Sequence, residues 1–281
     1  MTDTADLAHV LAFYDRHPIS AAQILAKVAA ERGSLDGLAP ADLYPHDQDH
    51  YGGLAANDAL HARANIGEGT RVLDLCAGLA GPARYCAATR GARVTALELN
   101  PGRAAGAGRL NALTGMRETV RVVRGDAQAL PFADAAFDAV LGQEAFLHIP
   151  DKPALFAEAR RVLAPGGRIA FTDWAAGPGL GEADRAALRR DIAAVGIETI
   201  GSYRALLEAA GFTEIEAEDL SAEWGPILRR RLAMYQRLRD EAKAGDGGDP
   251  HAGYVAAYRH FVDLVAKGTL GGGRFCAVRP A

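Results

Sequence analysis

Arg71-Val72-Leu73-Asp74-Leu75-Cys76-Ala77-Gly78-Leu79-Ala80-Gly81-Pro82-Ala83-Arg84-Tyr85 is the stretch that decides how this chain folds. It reads as a strand over 71–76, a turn of small residues, and a helix over 82–89. Val72 to Leu75 is apolar except for Asp74, as in a strand covered on both faces. Ala77, Gly78, Ala80 and Gly81 carry little or no side chain, so a ligand can come close to the backbone. Pro82 suits a first helical turn, where its missing N–H costs nothing. Twenty-four residues after Asp74 a second apolar run ends in an acid, Glu98. A small-residue turn after one strand and an acid closing the next form the pattern of a nucleotide or nucleoside site on a doubly wound sheet.

Outward from this stretch the pattern alternates. Strands are expected at 71–76, 93–99, 120–124, 137–141 and 168–172, and helices at 82–89, 101–113 and 153–163. Alternation with short links makes a parallel sheet with helices on both faces. Ligands in such sheets bind outside the carboxyl ends of the strands. The polar groups stand there: Gly78 to Gly81, Glu98, Gly125-Asp126-Ala127, Gly142-Gln143-Glu144 and Asp173-Trp174. Asp74, Glu98, Asp126 and Glu144 are expected to converge on one crevice. Four acids suit a ligand with hydroxyls, an amine and a positive sulfonium, and they repel a polyphosphate.

The dinucleotide pattern G-x-G-x-x-G is absent, because only Gly78 and Gly81 stand in the turn. The stretch resembles instead motif I of the class I S-adenosylmethionine (SAM) methyltransferases, roughly V-L-D-x-G-x-G-x-G, with Cys76 and Ala80 replacing two glycines. The segments Q-E-A-F-L-H (143–148) and R-V-L-A-P-G-G-R-I-A-F-T-D (161–173) are similar to those of glycine, sarcosine and dimethylglycine N-methyltransferases. The likeness spans the middle of the chain, 71–174. It implies an α/β fold: a Rossmann-like, doubly wound seven-stranded sheet with strand 7 antiparallel. It also implies SAM as cofactor. By the same resemblance Glu98 holds both ribose hydroxyls, where a carboxylate makes two charge-assisted bonds to a vicinal diol. Asp126 then meets the adenine amino group beside the Ala127 backbone. Gly78 lets the methionine part pass, and Gln143 stands opposite it. Asp74, Ala77, Gly81, Leu99 and Arg103 complete the expected cofactor-binding set. Glu144 stands where the relatives often carry Asp.

Residues 1–70 read as an N-terminal helical cap and lid, with helices at 6–16, 20–32 and 57–64. Ile24, Leu25 and Val28 fall at helical spacing behind a Ser20 cap. The segment Tyr44-Pro45-His46-Asp47-Gln48-Asp49-His50-Tyr51-Gly52-Gly53 is the most chemically loaded loop. It reads as a lid with Tyr51 reaching the ligand and the glycines as hinge, or as a polar structural loop. A metal site from His46, Asp47, Asp49 and His50 is a third reading. It lacks a helical His pair and any H-E-x-x-H, so no metal is expected. Residues 71–220 form the expected SAM-binding core, with a partial cap at about 175–202, a helix at 203–210 ended by Gly211, and a strand at 212–217. Residues 221–270 form a helical substrate-cap insertion between strands 6 and 7. Its helices are expected at 222–243 and 251–267, around a breaker-rich loop at 244–250. Residues 271–281 hold the last strand, at 274–278. Tyr254, Tyr258 and Phe261 read as core, with a substrate cage as the alternative. Arg229-Arg230-Arg231 reads as a solvated helix face, with a carboxylate anchor as the alternative.

The 281 residues, 49% apolar and 23% charged, suit one large α/β domain with additions. A net charge of -4 gives no electrostatic case for nucleic acid. No apolar run nears the ~20 residues of a membrane helix. The start, 1–11, lacks the basic region of a signal peptide. Three scattered cysteines make no disulfide framework, and a reducing cytoplasm is the expected compartment. A small-molecule substrate is expected, and a homo-oligomer stays open. The function expected is SAM-dependent methylation of a small metabolite at an amine nitrogen. Tyr51, Glu144, His148 and His50 are the catalytic candidates by position. The rival readings are O-, S- or C-methylation of a natural-product-type acceptor, an NAD(P)-dependent oxidoreductase, and a SAM-binding protein without catalysis. Sparse glycines and the lack of a Tyr-x-x-x-Lys pair stand against the oxidoreductase.

Overall fold

The computed structural model describes residues 4–17, 19–243 and 252–281. The expected loop at 244–250 lies outside them, as do the first three residues of the expected N-terminal cap and His251. Helices α1 (Thr4–Asp15), α2 (Ala21–Arg32), a short α3 (Tyr44–Asp47) and α4 (Gly53–Arg63) precede the sheet. Then follow β1 (Arg71–Leu75), α5 (Gly81–Arg90), β2 (Arg93–Glu98), α6 (Pro101–Leu113), β3 (Val120–Arg124), β4 (Phe137–Gln143), α7 (Lys152–Val162) and β5 (Leu163–Ala176). Next come α8 (Glu182–Ile192), α9 (Ile200–Ala209) and β6 (Thr213–Asp219). Two longer helices, α10 (Ser221–Lys243) and α11 (Ala252–Ala266), lead into β7 (Leu270–Val278).

The seven strands lie in the order β3-β2-β1-β4-β5-β7-β6. The first five are parallel, and β7 runs antiparallel between β5 and β6. Chain order reverses between β1 and β4, which opens the crevice at their carboxyl ends. Alternation along β1 feeds both faces. Leu73 and Leu75 join Val140, Phe156, Phe171, Tyr203 and Phe275 under α7 and α9. Val72 joins Leu60, Ala83, Cys86, Ala96, Ala107 and Ala139 under α4 to α6. That second face is built from small residues, which lets the helices approach the sheet closely. A third core ties Trp224 and Leu228 of α10 to Phe261 and Leu264 of α11, above Trp174 of β5. No described helix is long and apolar enough to cross a membrane.

Several boundaries differ from the sequence reading. Cys76 lies past β1 rather than in it, because its φ of 56° already belongs to the turn. Leu99 likewise lies past β2. The loaded loop begins as α3, started by Pro45 in its first turn. Helix α4 begins at Gly53, four residues before the expected 57. Strand β7 begins at Leu270, not 274. Its Gly271 and Gly272 are strand residues because α10 rests on them. A Cβ on Gly271 would lie 1.8 Å from Ser221 Oγ, and one on Gly272 would lie 2.4 Å from the Trp224 ring. The Tyr254, Tyr258 and Phe261 side chains pack in or against the α10–α11 core, and Tyr258 also faces the cavity described below.

Candidate active site

A cavity of about 210 Å³ opens at the carboxyl ends of β1, β2 and β4. One end is the turn after β1. Cys76 and Ala80, which stand in place of two glycines, take φ values of 56° and 58°. That left-handed backbone costs an ordinary residue about 1–2 kcal/mol, least for a small one. Gly78, at φ 56°, has a second constraint: a Cβ there would lie 2.8 Å from Arg103 Nη2. Its N–H donates to Glu98 Oε2 at 2.7 Å, and the Asn100 N–H donates to Glu98 Oε1 at 2.8 Å. Burial pushes the Glu98 carboxyl upward, while these N–H groups and Arg103 pull it down. Gly81 serves packing: a Cβ would sit 2.0 Å from the Asp47 carbonyl oxygen.

Asp74 and Gln143 face the same crevice. Asp74 Oδ2 and Gln143 Nε2 are buried polar atoms without a hydrogen-bond partner. Burial, then the Glu98 charge, pushes the Asp74 carboxyl up to about 7. Asp126 is half-buried and accepts the Gln128 N–H at 2.9 Å, with buried Ala127 beside it. Leu99 and Ala77 line the wall between. The crevice does gather all four expected acids, Asp74, Glu98, Asp126 and Glu144.

Beyond the turn the cavity has a second end. Tyr51 sits edge-on to Trp174 at 5.4 Å and tilted against Trp224 at 4.8 Å. The Tyr51 N–H donates to Glu144 Oε2 at 3.0 Å. Glu144 holds a left-handed φ of 43°, joining Cys76 as a strained non-glycine residue on the cavity wall. Its Oε1 is buried and makes no well-formed hydrogen bond, although the Thr172 hydroxyl is close enough to favour the charged form. Burial dominates and pushes this carboxyl up to about 8. His148 donates from Nδ1 to the Ala193 carbonyl at 3.0 Å and accepts the Tyr14 O–H on Nε2 at 2.8 Å. Burial lowers its pKa to about 4, so it is neutral at pH 7. His50 is lowered to about 4 by burial as well, with Nε2 3.0 Å from Gln48 Oε1 and Nδ1 3.2 Å from the Tyr51 carbonyl.

Helix α1 crosses the mouth. It is tied to α8 by the Asp6–Arg189 ion pair and to the cofactor end by Asn100 Nδ2 donating to Asp15 at 2.8 Å. Arg103 lies under it, 4.8 Å from the Tyr14 ring centroid and 3.3 Å from Asp49. The four residues weighed as metal ligands turn to separate partners. His46 meets Glu31, Asp47 forms a fully buried pair with Arg84 at 2.9 Å, Asp49 meets Arg103, and His50 meets Gln48. The fourteen expected site residues therefore all reach this cavity, and Gly81 does so while also seating Asp47. Sequence reasoning missed Tyr14, and weighed Arg231 only within a run whose favoured reading was a solvated face. Arg231 leaves the solvated run and lines the cavity beside Tyr258, while Arg229 and Arg230 stay exposed. Nothing local marks Tyr14, since its partner is 134 residues away.

Residues 73–171 match the family model described as a methyltransferase domain. The chain is 32% identical over 215 residues to the glycine/sarcosine/dimethylglycine N-methyltransferase of Actinopolyspora halophila, covering 76% of this chain and 38% of that one. It thus spans well under half of that protein's length. It is 31% identical over 217 residues to the sarcosine/dimethylglycine N-methyltransferase of Halorhodospira halochloris, with 75% of each chain covered. Among solved structures, phosphoethanolamine N-methyltransferase 2 of Haemonchus contortus, in complex with phosphomonomethylethanolamine and S-adenosylhomocysteine, superposes with a TM-score of 0.74 at 24% identity. The match covers 82% of this chain and 53% of that one.

Proposed function

From the premise that this chain belongs to the class I SAM-dependent methyltransferases, we propose that it methylates a small molecule, most favourably at an amine nitrogen. The observation that carries this reading is the two-ended cavity. Its cofactor end pairs Glu98 with a backbone N–H of a glycine turn, and its far end holds a half-satisfied carboxyl, Glu144. The residues fit SAM. Glu98 takes the ribose hydroxyls, and Asp126 with Ala127 takes the adenine. Asp74, Ala77, Gly78, Arg103 and Gln143 surround the amino-acid part, whose ammonium and carboxylate would satisfy the buried Asp74 and Gln143 atoms. Leu99 and Gly81 shape the wall. When bound, SAM supplies a methyl group already activated by the sulfonium.

The chain's own residues orient the acceptor, exclude water and handle its proton. Tyr51, Trp174 and Tyr258 give aromatic walls suited to a cationic amine. Glu144 offers Oε1 to an acceptor N–H, and its ionised form, which grows as pH nears its raised value of about 8, can take the ammonium proton. Holding the nitrogen in line supplies up to roughly 7–11 kcal/mol in the best intramolecular models. We assign residues 1–70 and 221–270 to the acceptor cap, because α1, the 44–53 segment and α10 supply the far walls.

A second reading rests on the Tyr14–His148 pair. A hydroxyl acceptor needs a base, and its proton can pass to the Tyr14 oxygen as the Tyr14 proton moves onto neutral His148. The apolar lining from Leu7, Val10, Leu11, Ile149 and Ile192 suits a larger acceptor than an amino acid. Incubation with methyl-labelled SAM and a panel of sarcosine, dimethylglycine, phosphoethanolamine, hydroxy acids and phenols separates the two. Label in amines alone supports the first reading, and label in hydroxyl compounds alone replaces it.

A further inference from the structure

We propose that Arg231 is a positioning residue: from the insertion helix it clasps the 48–53 strap, so that the Tyr51 N–H holds Glu144 toward the acceptor. This inference rests on the reading of Glu144 as the acceptor's partner. Of the run Arg229-Arg230-Arg231 only the third side chain turns inward. Its Nη2 donates to two successive backbone carbonyls, Asp49 at 3.2 Å and His50 at 2.8 Å. Its Nη1 reaches Tyr258 Oη at 3.4 Å, and Cζ lies 4.7 Å over the Tyr51 ring. Among the described residues it has no ion-pair partner, so its donors go to neutral oxygens. A planar guanidinium can span two carbonyls and stack on a ring at once, which an ammonium cannot.

The strap needs such a clasp. Its carbonyls at 49 and 50 belong to no helix or strand, and Arg231 is their hydrogen-bond partner among the described residues. Its far end passes through Gly52 and Gly53, at φ 87° and 58°, a turn that ordinary residues resist. Its near end is fixed by Asp47 on buried Arg84. Between these ends Tyr51 is held by the two indoles, the guanidinium, the Tyr258 side chain, Glu144, and His50 Nδ1 at its carbonyl, while Asp49 is tied to Arg103. Removing the guanidinium frees the Tyr51 N–H to drift from Glu144. Two charged groups bear on Glu144 across this junction, Asp173 of β5 and Arg231 of α10.

Trp174 and Trp224 are the only tryptophans in the chain, and both touch Tyr51, so intrinsic fluorescence reports the strap. The test compares the full-length protein with Arg231→Ala and Arg231→Lys by peptide hydrogen exchange, tryptophan emission and titration with S-adenosylhomocysteine. The proposal expects amides of 48–53 to exchange at least tenfold faster in Arg231→Ala, with shifted emission. Exchange over 74–81 and cofactor-product affinity should stay within threefold. Arg231→Lys should fall between, since one carbonyl bond can be remade. With any acceptor the panel identifies, kcat should drop at least tenfold and KM for SAM hold. Unchanged strap exchange in Arg231→Ala, uniformly faster exchange across the sheet, or full rescue by Lys each overturns the clasp. A rise in acceptor KM with kcat intact also overturns it, and makes Arg231 a substrate anchor. Failure of the wild type to bind S-adenosylhomocysteine sinks the cofactor reading instead and leaves the exchange outcomes readable.

Discussion

The backbone N–H of Gly78 donates to Glu98 Oε2 at 2.7 Å, so the turn after β1 and the end of β2 share one carboxylate. The same carboxylate takes the Asn100 N–H and lines the cavity. A ligand diol arriving there meets an acceptor already oriented by two backbone donors. Hydrogen bonds to a charged group contribute about 1.5–3 kcal/mol each. Glu98→Ala should therefore weaken S-adenosylhomocysteine binding by about tenfold to a hundredfold for each bond lost. Calorimetric affinity within threefold of wild type would remove Glu98 from the cofactor site.

Stability should fall as pH rises above neutrality. Asp74 and Asp173 are raised to about 7 and Glu144 to about 8, chiefly by burial. Between the ordinary carboxyl range and those values the folded state binds more protons than the unfolded one, so stability declines across that window. His50, His61 and His148, lowered to about 4, act oppositely. Their contribution grows from about pH 4 to 6.5 and is then complete. From pH 6.5 to 8.5 only the acids among these groups act. Urea midpoints should drop over that interval, and Glu144→Gln should flatten the drop. A midpoint that rises, or a Glu144→Gln slope equal to wild type, contradicts the assignment.

The Asp47–Arg84 pair is wholly inside the protein, with both side chains 0% exposed. Removing one member strands the other, at a cost of about 3–5 kcal/mol. Arg84→Ala should show that loss in urea unfolding. Gly81→Ala should also loosen the strap, because its methyl group would press on the Asp47 carbonyl. A loss below 1 kcal/mol in Arg84→Ala would mean water reaches the pair.

Tyr14→Phe deletes the O–H that His148 Nε2 accepts and leaves that nitrogen buried without its donor. Stability should fall by about 1–3 kcal/mol. If the acceptor's proton travels through this pair, methyl transfer slows more than tenfold while S-adenosylhomocysteine affinity holds within threefold. An unchanged transfer rate would leave the pair as a tie that holds α1 over the mouth.

The sheet was legible because its strands are local and apolar and its turns are marked. Val72 to Leu75, the turn at 77–81 and Glu98 carry their meaning within thirty residues. Long-range partners were not legible. Tyr14 meets His148 134 residues away and Arg231 meets the 49–50 carbonyls more than 180 residues away, and no local pattern encodes either contact. The strand start at Leu270 was hidden for a related reason. A glycine run reads as a breaker unless the helix that rests on it is known. Cys76 and Ala80 mislead in the other direction. They break the glycine pattern, yet they hold left-handed conformations at that turn.

The central claim is that the cavity binds a SAM-type cofactor. Calorimetric titration of the purified protein with S-adenosylhomocysteine, with NADH as control, tests it most directly. Micromolar binding of S-adenosylhomocysteine alone, weakened at least tenfold in Glu98→Ala, is the predicted result. Binding of NADH instead, or S-adenosylhomocysteine binding indifferent to Glu98, would contradict it.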